Sequence, residues 1–160
     1  MEKKRISELD DIPEYGSWVE VVKTYMKCQR LMTARLAPLD LSIARYEVLL
    51  AIARDEGLSQ RRLADRLLVA KSNVTALMQR LEALGLITRE SDPDDARGHC
   101  VYLTRTGRAI LKKGVREQAK VVKLMMEGLG AQDARVFGRV MRSVGASLDE
   151  ALEGDGPKPL

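Results

Sequence analysis

The chain has 160 residues, of which 45% are hydrophobic and 31% are charged, and its formal net charge is +4. This length allows a domain with a buried core, and the composition excludes a disordered or fibrous chain. No apolar run of about eighteen residues and no apolar leader segment occurs, so we expect a cytoplasmic protein without a membrane span.

Helical spacing of the apolar residues dominates the first third of the chain. The pattern predicts one helix over about residues 14–36, ended by Pro38, and a second that is capped by Ser42 and runs to about Asp55. Ser59 then caps a short third helix, Gln60–Leu67. A fourth helix, about Lys71–Leu84, follows after roughly three residues, which is the outline of a helix-turn-helix.

Beyond Gly85 the period changes to that of strands. Leu86–Ser91 and His99–Leu103 are β-leaning runs, and the loop between them contains Pro93 and Gly98. We therefore predict a mainly α-helical fold with a small β-hairpin, a winged helix-turn-helix in outline.

Two long helices are predicted to close the chain, one opened by Thr104 and one over about Gln132–Leu152. Their apolar stripes, like that of the first helix, exceed what the compact middle of the chain is able to cover. A symmetric homodimer built from both ends of the chain would cover them. The alternative is a monomer whose ends fold back on its middle.

The fourth helix is amphipathic in a way that suits a DNA groove. Its outer face carries Ser72, Thr75, Ala76 and Gln79, and Asn73 adds another amide. Amide side chains pair with adenine and a threonine methyl contacts thymine, while the flanking Lys71 and Arg80 are suited to phosphates. An isolated helix with such a face would be taken as merely solvated.

The charge around this helix favours DNA. Nine basic residues between Ser59 and Arg108 stand against six acids, and four of those acids lie in Glu90–Asp95. Outside that acidic loop the segment is strongly basic, as expected of a module that binds a nucleic-acid backbone.

Several motifs in this segment resemble the winged helix-turn-helix of the MarR family of bacterial transcriptional regulators. They keep their order over about 70 residues: the pair Leu63–Ala64, the run SNVT at 72–75, RLEALGLITR at 80–89, DPDD at 92–95 and LTRTG at 103–107. The predicted flanking helices also match the family in length.

The resemblance implies a homodimer that binds a pseudopalindromic double-stranded operator and probes both grooves. The fourth helix would enter the major groove, and Arg97, oriented by Asp95, would enter the minor groove. It also implies three regions: an N-terminal dimerisation helix (1–37), a winged helix-turn-helix (38–108) and C-terminal dimerisation helices (109–160). A repressor is the expected regulatory role.

This chain departs from the family pattern at three alanines. Ala96 and Ala76 stand where the family usually has basic residues, and Ala70 stands where a helix cap is common. We therefore expect a more modest or more salt-sensitive operator affinity than is usual in the family.

The family resemblance further implies that a small aromatic or phenolic anion releases the DNA. Trp18, Tyr25, Arg45 and Tyr46 lie on the segments that would line such a pocket, where an arginine beside aromatic rings would hold a carboxylate. Each of these residues is also common in cores and on surfaces.

Other functional classes have weaker support in the sequence. No enzyme motif, metal-ligand cluster or cofactor motif occurs, and His99 and Cys100 would point to opposite faces of a strand. Two alternatives stay open: a thiol-based redox sensor that uses Cys28, and a winged-helix module for protein–protein interaction.

Overall fold

The computed structural model describes residues 7–59, 62–63, 67, 71–92 and 95–154, and the side chains of 7, 10, 71–73, 92, 95–98 and 153 lie outside the described part. The elements in chain order are α1 (Ser7–Asp10), α2 (Tyr15–Leu36), a 3-10 turn (Ala37–Leu39), α3 (Ile43–Arg54), β1 (Leu58–Ser59), α4 (Lys71–Ala83), β2 (Ile87–Asp92), β3 (Asp95–Leu103), α5 (Arg105–Met126) and α6 (Ala131–Gly154). The fold is mainly helical with one small antiparallel sheet, as predicted.

The boundary between α2 and α3 follows from its local chemistry. Pro38 lies in the 3-10 turn that ends α2, and Asp40 then adopts a left-handed backbone with φ of 52°. The Ser42 hydroxyl oxygen accepts a hydrogen bond from the Arg45 backbone N–H at 3.2 Å, so the predicted cap of α3 is confirmed.

The predicted third helix, Gln60–Leu67, lies mostly outside the described residues. Arg62, Leu63 and Leu67 have helical backbone, and the Arg62 N–H donates to the Ser59 hydroxyl oxygen at 3.4 Å. Leu63 is fully buried, which places this segment against the core of the domain.

The sheet has three strands in the order β1-β3-β2, where a two-stranded hairpin was predicted. Leu58 pairs with Val101 and Ser59 with Cys100, and a strand of two residues is too short to show an alternating pattern in the sequence. β3 begins at Asp95, four residues before the predicted start at His99, because Asp92 and Asp95 still pair across the hairpin tip.

A glycine-based cap ends α4 and directs the chain into the wing. Gly85 has φ of 66°, its N–H donates to the Glu82 carbonyl at 2.8 Å, and the Leu86 N–H donates to the Leu81 carbonyl at 2.9 Å. This pair of bonds is the Schellman arrangement, which favours glycine at its left-handed position.

The chain divides into two compact units, Met1–Val121 and Val122–Leu160. The first holds a single hydrophobic core to which all of its described helices from α2 onward and all three strands contribute; its fully buried residues include Leu36, Val48, Leu49, Ile52, Val74, Met78, Leu81 and Val101. The second consists of the end of α5 and α6, and α6 exposes Phe137, Met141, Val144, Leu148 and Leu152. Among the described residues, no helix is both long enough and apolar enough to cross a membrane.

Candidate nucleic-acid interface

Helix α4 separates its apolar and polar faces sharply. Val74, Met78 and Leu81 have no exposed surface, whereas Ala76, Gln79 and Arg80 are exposed. Thr75, between the two faces, is half-buried. Because the buried face fixes how the helix sits on the domain, its polar face is held outward as a rigid surface.

The DNA-contact predictions fall partly outside the described side chains. The first turn of α4 contains Lys71, Ser72 and Asn73, and β3 contains Asp95 and Arg97. For these five residues the structure describes the backbone element but not the side chain. The structural support for a DNA-binding surface therefore comes from the described side chains of Thr75, Gln79 and Arg80.

Some basic residues around Ser59–Arg108 form ion pairs within the chain, and others do not. Arg89 of β2 bonds to Glu82 of α4, Arg108 bonds to Glu56, and Arg62 lies 3.8 Å from Asp55. Arg80 and Arg105 are exposed and make no ion pair with another described residue. The sequence counts all of these arginines as equally available to DNA. In the structure, however, Arg62, Arg89 and Arg108 pair with acids of the same chain.

The pair Glu82–Arg89 joins the recognition-helix candidate to the wing. The hydrogen bond from the Arg89 guanidinium lowers the pKa of the Glu82 carboxyl and raises the pKa of Arg89. Both side chains are partly exposed, so the pair orients α4 against β2 more than it stabilises the fold.

A second feature is a cavity of about 710 Å³ between α2, α3 and α5. Its lining residues are Cys28, Gln29, Met32, Ile43, Tyr46, Glu47, Leu50, Ala51, Arg54, Leu67 and Gln118. Polar and apolar groups contribute nearly equal shares of its wall, with Gln29, Glu47, Arg54 and Gln118 among the polar ones. A concave site of this kind can hold a small polar or charged molecule.

The structure does not bring the four predicted pocket residues together, since only Tyr46 lines the cavity. Trp18 and Tyr25 are exposed, and Trp18 lies in a separate apolar groove with Leu9 and Ile12. Arg45 instead donates to the Asp40 carbonyl at 3.0 Å and to the Ser42 hydroxyl at 3.3 Å.

Helical geometry explains why Arg54 takes the place that was predicted for Arg45. The α3 residues that line the cavity recur every three or four positions, at 43, 46, 47, 50, 51 and 54. Arg45 lies off this face, whereas Arg54 lies on it two turns beyond Tyr46. Arg54 is therefore the cation available to a ligand, and Glu47 is an acid on the same wall.

Tyr46 links the cavity to α5. Its hydroxyl donates to the Gln118 side-chain oxygen at 2.7 Å, and a Cβ on Gly114 would lie 2.8 Å from its ring. Burial raises the pKa of the Tyr46 phenol, so the hydroxyl stays protonated and acts as a donor at neutral pH. Sequence inspection missed Gln118 as a site residue, although it is the one polar member of the face Gly107, Leu111, Gly114, Gln118 and Val121.

The two cysteines, neither of which is in a disulfide, lie in different surroundings. Cys100 is buried on β3 while the neighbouring His99 is exposed, so the predicted opposite orientation of these two residues is confirmed. Cys28 is half-buried and lines the cavity.

A domain in which a helix with an exposed polar face is followed by an antiparallel β-hairpin is of the winged-helix class. The family model described as MarR family matches residues 39–98. The transcriptional regulator HosA of Escherichia coli O111:H- is 30% identical over 105 residues, which are 66% of this chain and 78% of that protein.

Solved structures agree with this match. A mutant MarR from E. coli complexed with operator DNA superposes with a TM-score of 0.75 at 26% identity and covers 88% of this chain and 99% of that one. The transcriptional repressor CouR bound to a 23-mer DNA duplex gives a TM-score of 0.72 at 26% identity, over 91% and 99% of the two chains. The chain therefore belongs to the MarR family of transcriptional regulators.

Proposed function

We propose that this regulator is a repressor that places the outer face of α4 in the major groove of a DNA operator. The observation that carries the proposal is the exposed row Ala76, Gln79 and Arg80 opposite a fully buried apolar face. The relatives solved with DNA support it. In this arrangement Thr75 and Gln79 contact base edges and Arg80 contacts phosphate.

The wing completes the proposed contact. Arg97 lies on β3 near the hairpin tip and Asp95 starts the same strand. The family resemblance assigns Arg97 to the minor groove, where A·T-rich sequence concentrates negative potential, and assigns Asp95 to orienting its guanidinium. Lys71, Ser72 and Asn73 at the start of α4 add phosphate and base contacts.

Replacing Arg80 with alanine tests the surface without a known operator. On a mixed-sequence duplex, binding of Arg80→Ala should weaken, and the slope of log K against log salt should fall in magnitude by about 0.9, because one phosphate contact is lost. Arg135→Ala, which removes an equal charge from the exposed side of α6, is the matched control and should leave the slope unchanged. Equal slopes for Arg80→Ala and the wild type would place the DNA elsewhere.

We further propose a homodimer, in which a second copy covers the apolar stripes at both ends of the chain. Trp18, Val21 and Tyr25 on α2 and Val144 and Leu148 on α6 are exposed in the single chain, with Trp18 at 59% and Leu148 at 60%. Such large exposed apolar surfaces are rare in monomers. Two copies related by a two-fold axis would also match a pseudopalindromic site.

Charge placed in the α6 stripe should break this dimer. In sedimentation experiments the wild type should run at twice the 17.8 kDa chain mass, and the double variant Val144→Glu with Leu148→Glu should run as a monomer. Arg139→Glu puts a glutamate on the opposite side of α6 and should leave the dimer intact. A monomeric wild type at micromolar concentration would contradict the proposal.

The cavity between α2, α3 and α5 is the proposed site of a small effector that lowers the affinity for DNA. Tyr46 supplies an aromatic wall and Arg54 a cation for an aromatic or phenolic anion. A redox effector that oxidises Cys28 is a second candidate, because this half-buried thiol lies in the same wall. Operator binding that survives peroxide treatment would eliminate it.

A further inference from the structure

Helix α5 is attached firmly to the end of the recognition-helix candidate. The Thr104 N–H donates to the Leu86 carbonyl at 3.1 Å, and the Thr104 hydroxyl donates to the Gly85 carbonyl at 2.7 Å. The same hydroxyl oxygen accepts from the Gly107 N–H at 2.9 Å and so caps α5. One side chain thus ties the first turn of α5 to the residues that end α4.

Gly107 makes this attachment close. A Cβ at this position would lie 1.9 Å from the Leu86 carbonyl oxygen, so the backbone of α5 rests directly on the segment that follows α4. The neighbouring atoms of Leu86 are backbone atoms, so no flexible side chain separates the two elements. We therefore expect a displacement of α5 to shift Gly85 and Leu86, the residues that end α4.

The same helix forms part of the cavity wall eleven residues further on, about 16 Å along its axis. There the Tyr46 hydroxyl donates a hydrogen bond to the Gln118 side-chain oxygen, 2.7 Å away, and Gly114, one turn earlier, leaves room for the Tyr46 ring. Among the described residues, this is the one side-chain hydrogen bond between α3 and α5. α5 thus contacts the cavity at one end and α4 at the other.

We infer that the Tyr46–Gln118 hydrogen bond breaks when a ligand with a hydrogen-bond acceptor binds in the cavity. We infer also that α5 transmits this change to α4 and so lowers the affinity for DNA. The inference rests on the proposed function, because it needs both DNA binding and a ligand in the cavity. A phenol has a single proton to donate, so a ligand acceptor that takes it displaces Gln118. A ligand without an acceptor fills the cavity and leaves the bond intact.

Variants that remove the bond without a ligand test the first part of the inference. On an operator selected by the wild type, Tyr46→Phe and Gln118→Met should each weaken binding about fivefold, and the double variant should be no weaker than either one. Gln118→Glu keeps an acceptor for the Tyr46 hydroxyl and should restore affinity to within about twofold of the wild type. Thr33→Val, which removes a hydroxyl that bonds only within α2, is the control.

Hydrogen exchange distinguishes a change transmitted from Tyr46 to α4 from a general loss of stability of the domain. In Tyr46→Phe, the amides of Gly85 and Leu86 at the end of α4 should exchange faster, whereas those of the sheet strand β3 should not. Faster exchange throughout the domain would indicate simple destabilisation and would overturn the inference.

Two probes of similar size test the ligand chemistry. Benzoate, which carries acceptors, should weaken operator binding by the wild type several-fold and affect Tyr46→Phe much less, and toluene, which has none, should leave binding unchanged. Equal effects of the two probes, or no effect of either, would overturn the assignment of ligand class. If the wild type binds operator but Tyr46→Phe and Gln118→Met bind equally well, only this inference fails. If the wild type binds no DNA, the proposed function fails with it.

Discussion

Replacing Gly107 with alanine should lower the free energy of unfolding by about 3 kcal/mol or more. The added methyl group would lie 1.9 Å from the Leu86 carbonyl oxygen, a backbone atom that already accepts the Thr104 N–H. The expected result is a large shift of the urea midpoint at fixed protein concentration, which has to be held constant because a dimer's stability depends on it.

Gly16→Ala provides the control for Gly107→Ala. Gly16 lies in the first turn of α2, and a Cβ there would meet nothing within 4 Å. Alanine at this position should be neutral or stabilise by up to about 1 kcal/mol, since only helix propensity changes. A Gly107→Ala protein with the stability of Gly16→Ala would show that α5 does not rest on Leu86.

Replacing Arg97 with alanine should weaken operator binding by about 1–3 kcal/mol, roughly 5- to 150-fold, while the melting temperature stays unchanged. The slope of log K against log salt should fall in magnitude by about 0.9. Titration of a selected duplex by fluorescence anisotropy at several salt concentrations measures both quantities. The neighbouring residue, Ala96, supplies no second guanidinium, so little should remain of the minor-groove contact.

Arg97→Lys is the matched variant because it keeps the charge and removes the planar fork. It should retain the salt slope but lose part of the affinity. The alternative of a protein–protein interaction module predicts a different outcome. An Arg97→Ala protein that bound a palindromic site normally, with unchanged salt dependence, would favour that alternative.

The helix boundaries were predictable because local chemistry sets them. The cap at Ser42 and the stop at Pro38 act within a few residues of the chain, and the structure has both where the sequence places them. The two-residue strand β1 was missed because its pairing with β3 depends on residues about forty positions away.

The candidate ligand site was the less predictable part. Tyr46 was identified from its residue type, but whether Arg45 or Arg54 reaches the cavity depends on the rotation of α3, which is set by packing in the core. Gln118 was not predicted, because its role as acceptor depends on a contact between residues 72 positions apart. Gly107 was recognised as part of the motif LTRTG, and the structure supplies its physical reason, the close approach to Leu86.

Selection of bound sequences from a random DNA pool by the wild-type protein tests the central proposal most directly. The proposed dimer, with α4 in the major groove, predicts enrichment of a pseudopalindrome whose half-sites are centred about one helical turn apart, with A·T-rich positions where Arg97 enters the minor groove. A pool that gains no common sequence, or gains a single half-site without its inverted repeat, would contradict it.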